Sequence, residues 1–140
     1  MTTVATEIVV PPNALETSSG FTWLDENGII MAVGSSHQLH TLAHAIENTE
    51  MIAAIAGNVR RPFLIDLTKV KTMSKEAREY YAGPEPEKSI TAVAIVTKSS
   101  VGKAVANFFL LLTKPSVPTR LFTEHNEAIE WLLRQKESLR

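Results

Sequence analysis

The stretch Leu64 to Tyr81, "LIDLTKVKTMSKEAREYY", passes from an apolar run through a hydroxyl- and lysine-rich loop into a helix. "RPFLIDL", Arg61 to Leu67, is short and continuously apolar at its centre, which suits a strand buried on both faces. Asp66 sits where that strand ends. Ser74 stands directly before a helical run extending to about Ala82, where its hydroxyl can accept a bond from a backbone N–H two or three residues on. Glu76 in the first turn suits the positive end of the helix dipole, whereas Lys75 does not.

The same unit recurs on both sides. Downstream, "SITAVAIVT" is a run rich in β-branched residues, followed by a helix over "SSVGKAVANFFLLL" and a stop at "TKPSVP". "TRLF" is a last short strand, and "EHNEAIEWLLRQKESL" is an amphipathic helix with Ala128, Ile129, Leu132 and Leu133 inward. Upstream, "FTWLDENGIIMAVG" reads as a hairpin whose turn uses Asn27 and Gly28 for positive φ. A helix from about Gln38 to Ala56 follows, capped by Ser35 or Ser36, with Leu39, Leu42, Ala43, Ile46 and Ala53 facing the sheet. Residues 1–19, with Pro11 and Pro12, read as a flexible tail, and residues 20–140 as one domain. The expected fold is α/β, a mainly parallel sheet of about five strands with an N-terminal hairpin and four helices.

Composition narrows the function. At 140 residues and 44% apolar content the chain can bury a core, and a net charge of −1 offers no field to recruit nucleic acid. Without cysteine there is no disulfide or thiolate chemistry. The N-terminus has no basic region ahead of an apolar core, and no segment approaches the ~20 apolar residues of a membrane span, so a cytoplasmic protein is expected.

"FLIDLTKVKTM" followed by a helix resembles the central motif of STAS domains, the anti-sigma-factor-antagonist and sulfate-transporter group with the SpoIIAA-like fold. Asp66, Leu67, Thr68, Val70 and Met73 match that pattern in order, and the resemblance covers roughly Phe21 to Arg134. "SKEAREYYAG" and "ANFFLLLTKPSVPTRLFTEHNEAIEWL" are similar to small uncharacterised bacterial STAS-like proteins. The resemblance implies β-α alternating layers and a regulatory, signalling role. It breaks where the family carries Asp-Ser-Ser-Gly, since Ser74, Lys75, Glu76 and Ala77 stand there and the phosphoacceptor serine aligns with Lys75.

In parallel sheets, ligands meet the chain at the carboxyl ends of the strands. The loops Thr68 to Met73, Thr97 to Ser100 and Thr123 to Asn126 should gather there. Thr68, Lys69, Ser74, Lys75, Ser99, Ser100 and Lys103 are the candidate contact residues, with a weak anion site drawn from Lys69, Lys75, Lys103 and His125. A nucleotide loop is rejected, because Thr97 and Ala104 occupy positions that it would need filled by glycine and by Ser or Thr. His40, His44 and Glu47 share one face of the expected first helix, which is expected to be solvated, and no metal is assigned. Asp66 and His125 can approach across the strand ends, but no nucleophile motif accompanies them, and neither an enzyme nor a cofactor is expected.

Five consecutive large apolar residues, Phe108 to Leu112, must cover more than one helix face. Phe109, Leu110 or Leu111 therefore points outward into a patch that Trp131, Tyr80 and Tyr81 could extend. The expected function is a non-catalytic regulatory or protein-interaction module, with a protein partner and a homodimer. The alternative is a carrier of a small apolar ligand or lipid. A phosphorylation switch at Ser74 is a third reading.

Overall fold

Three short strands open the chain: β1 (Leu15–Thr17), β2 (Gly20–Leu24) and β3 (Ile30–Gly34), each antiparallel to the next. The computed structural model describes residues 9–34, 39–70, 72–112 and 117–138. β1 lies in the stretch read as tail; it is held by a ladder to β2 in which Glu16 faces Phe21. Asp25 closes the β2–β3 turn, its Oδ1 accepting from the N–H groups of Asn27 and Ile29 at 2.9 Å each. Gly28 supplies φ 79, as the Asn-Gly pair requires.

From β3 the sheet turns parallel. β5 (Arg61–Asp66), β7 (Ile90–Val96) and β8 (Thr119–Phe122) complete a six-stranded sheet ordered β1-β2-β3-β5-β7-β8. A second, two-stranded sheet pairs β4 (Leu39–His40) with β6 (Thr72–Met73) in parallel. The helices are α1 (Leu42–Ala56), α2 (Lys75–Tyr81), the single turn α3 (Pro84–Glu87), α4 (Ser100–Leu112) and α5 (His125–Ser138). No helix among the described residues is long and apolar enough to cross a membrane.

The continuous apolar strands serve two faces, because successive side chains point to opposite sides. Ile29, Met31, Leu64, Ala92, Ala94 and Val96 pack with Ala128, Trp131 and Leu132 of α5. Ile30, Ala32 and Phe63 face Ile52 and Ala56 of α1, and Ile95 meets Ala106 of α4. Trp131 is thus a core residue and extends no surface patch, a correction to the sequence reading.

The first helix departs most from expectation. It starts at Leu42, because Leu39 and His40 are taken into β4. Thr41 is its N-cap, with a capping box closed by His44, whose Nδ1 accepts from Thr41 N at 3.0 Å. The expected caps Ser35 and Ser36 lie outside the described residues. Its buried residues are Ala45, Thr49, Ile52 and Ala56, about a quarter turn from the expected face at ~100° per residue. Leu39, Leu42 and Ile46, read as inward, are 48%, 39% and 36% exposed. Ala56, with almost no exposed surface, lets the helix approach the sheet closely in a way that Leu42 and Ile46 could not.

Candidate functional site

The loops that follow the parallel strands do gather, and they are tied to one another. Asp66 ends β5 with its carboxylate buried, and Oδ1 accepts from Thr68 N at 2.8 Å. Its Oδ2 lies 2.7 Å from Nε2 of His125, the first residue of α5. Thr68 Oγ1 accepts from Lys98 N at 3.3 Å, joining the β5 loop to the β7 loop. Lys98 and Glu124 add an ion pair at 3.9 Å. Burial opposes the charge on Asp66, but hydrogen bonds from His125 and Thr68 outweigh it and hold the carboxyl below its ordinary pKa.

The hydroxyl groups at this rim are used in capping. Ser74 accepts from Ala77 N at 3.1 Å at the start of α2, and Ser99 accepts from Gly102 N at 2.8 Å at the start of α4. Lys69, Ser100 and Lys103 are exposed, and Lys75 pairs along α2 with Glu79 at 3.9 Å. The Asp66–His125 pair fastens α5 to β5. Ser74→Ala should therefore lower stability by about 1 kcal/mol in urea unfolding, the usual worth of an N-cap. An unchanged midpoint would show that the hydroxyl is available for other work.

The apolar patch expected around Phe109, Leu110 and Leu111 falls largely on side chains that are not described. Leu110 is half-buried. The side chains of Phe109 and Leu111 lie outside what is described. The expected row of His40, His44 and Glu47 on one helix face does not form, since His40 belongs to β4 and is buried. Burial, with His44 nearby, lowers the pKa of His40 to about 4.

A cavity of ≈ 110 Å³, partly open to solvent, lies between the sheet and its helical layer. Ala32, Phe63, Ile65, Val93 and Ile95 of the sheet line it, with Ile52 and Ala106 from the helices. Small side chains, Ala32, Ala82 and Ala106, contribute to its lining.

One wall of this apolar space is polar. Ser19 Oγ donates to Asn48 Oδ1 at 3.1 Å, Asn48 Nδ2 donates to Tyr81 Oη at 3.0 Å, and Tyr81 Oη lies 2.6 Å from His40 Nε2. All four residues line the cavity. The string joins the β1–β2 turn, α1, α2 and β4. Burial raises the pKa of Tyr81, more than the bond from Asn48 lowers it, so Tyr81 and His40 are both uncharged at neutral pH.

The family model described as "Domain of unknown function (DUF7793)" matches residues 22–136. The chain belongs to this family. A crystal structure of an uncharacterised DUF3478 protein with a SpoIIAA-like fold, from Shewanella loihica PV-4, superposes on this DUF7793 chain with a TM-score of 0.55. The two are 15% identical, over 86% of this chain and 90% of that one. That likeness bears out the STAS-like, SpoIIAA-like fold read from Asp66 to Met73. A protein of unknown function from Arthrobacter sp. FB24 is 24% identical over 84% of this chain and 95% of that one, with a TM-score of 0.30. No curated protein matches the chain.

Of the string, only Tyr81 and His40 had drawn notice in the sequence, one as patch aromatic and one as helix-face histidine. No spacing rule links positions 19, 40, 48 and 81. The available signal was compositional: alanine and glycine at sheet and helix positions where large side chains would normally fill a core.

Proposed function

We propose that this STAS-like domain binds a small, largely apolar molecule in the cavity between the sheet and α1–α4, and acts without making or breaking covalent bonds. The observation that carries the reading is the cavity of ≈ 110 Å³ itself. It is of the scale of the ~150 Å³ apolar cavity known to admit benzene, and too small for a diacyl lipid. The non-catalytic part is supported by the rim, where Ser74, Ser99 and Thr68 are committed to backbone N–H groups.

Benzene is the direct probe. Added to isotope-labelled protein, it should shift the amide resonances of Phe63, Ile65 and Val93, with a Kd of about 1 mM as befits a six-atom ligand. Absence of any shift at these positions would remove the reading. Shifts confined to Leu42 and Ile46 would favour a second one. There the outward row of Leu39, Leu42 and Ile46 is the apolar binding surface, and the domain acts by meeting a protein partner or a second copy of itself.

A further inference from the structure

We propose that the polar string on the cavity wall selects the ligand's head group: the occupant is a neutral molecule with an apolar body of about benzene's size and one hydroxyl. This rests on the ligand-binding reading above and names the class of molecule.

The argument is one of hydrogen-bond capacity. A tyrosine hydroxyl has one proton to donate and two lone pairs to accept with. At Tyr81 one lone pair takes the Asn48 amide proton at 3.0 Å. The contact with His40 Nε2 at 2.6 Å uses either the Tyr81 proton or the second lone pair, according to the imidazole tautomer. In the first case an acceptor remains on Tyr81 Oη, and in the second a donor. A ligand hydroxyl, being both donor and acceptor, completes the set in either case. A carbonyl or an ether completes it in only one, and a hydrocarbon in neither.

Charge is excluded on separate grounds. No lysine or arginine is among the described residues lining the cavity. A ligand carboxylate would leave water for an apolar space with no lysine or arginine among its described lining to meet it. His40 stays neutral and offers no countercharge, consistent with its depressed pKa.

The test compares phenol, benzene and benzoate by titration followed by NMR, on the native protein, Tyr81→Phe and Val93→Phe. Phenol should bind the native protein about tenfold more tightly than benzene, the worth of one well-placed hydrogen bond. Benzoate should bind at least tenfold more weakly than phenol. Tyr81→Phe should bring phenol to the affinity of benzene. Val93→Phe, which fills the cavity floor, should lose both. Equal binding of phenol and benzene, or of phenol and benzoate, would overturn head-group selection and leave the cavity as a ligand site. Phenol held undiminished by Val93→Phe would place it elsewhere and also overturn the proposal. Failure of all three probes would remove the ligand reading and this inference together.

Discussion

Asp66→Ala should cost about 3 kcal/mol and lower Tm by about 10 °C, since it strands two half-buried partners at once. Thr68 N loses its acceptor at 2.8 Å and His125 loses its contact at 2.7 Å, in a place where Asp66 is 5% exposed. The loss also has a pH signature. The folded-state pKa of Asp66 lies below its ordinary 3.8, so the charge contributes stability fully at pH values above 3.8. That contribution declines as pH falls through the lower folded value. The gap between native and Asp66→Ala stability should therefore be level from neutral pH down to about pH 5 and narrow in more acidic solution. Urea unfolding at a series of pH values reads both effects. A gap under about 1 kcal/mol, or one that widens in acid, would contradict the role given to the carboxylate.

Gly102→Ala should be comparably damaging, at about 3 kcal/mol, for a reason of space rather than charge. A Cβ at this position would lie 2.1 Å from Thr97 Oγ1, 2.8 Å from Ser99 Oγ and 3.0 Å from Leu67 O. None of these can retreat cheaply. Thr97 is fully buried, Ser99 Oγ caps the helix through Gly102 N, and Leu67 N is bonded to Val96 O at 2.8 Å in the loop leaving β5. Insertion of one methyl therefore pushes the start of α4 off the strand ends. Thermal unfolding followed by circular dichroism should show a fall in Tm of about 10 °C. A change of under about 2 °C would mean that α4 can shift without disturbing the β5 and β7 loops.

Much of the architecture was legible because the residues that specify it act locally. Asn27-Gly28 sets the hairpin turn, and continuous apolar runs at Phe63–Ile65 and Ala92–Val96 demand burial on both faces. Ser74 and Ser99 mark helix starts, and the structure uses both as caps. Even the meeting of Asp66 and His125 followed from placing both at the same end of a parallel sheet.

The misreadings share a cause. Leu39–His40 is too short for any periodicity, and only its partner Thr72–Met73, 33 positions away in register, makes it a strand. The face of α1 was assigned by the largest apolar side chains, whereas the buried face is that of Ala45, Thr49, Ile52 and Ala56. Trp131 was placed on a surface because the sequence does not say which face of the sheet α5 covers.

What the sequence determined by itself is therefore the alternation of strands and helices, the caps and turns between them, and the gathering of three loops at one end of the sheet. Each depends on residues within a few positions of one another. Which helix face is buried, whether the core is filled, and which polar groups meet inside it were decided only in the tertiary structure. The cavity and its Ser19–Asn48–Tyr81–His40 wall are set by how closely two layers approach, and that distance is a property of all the side chains between them together.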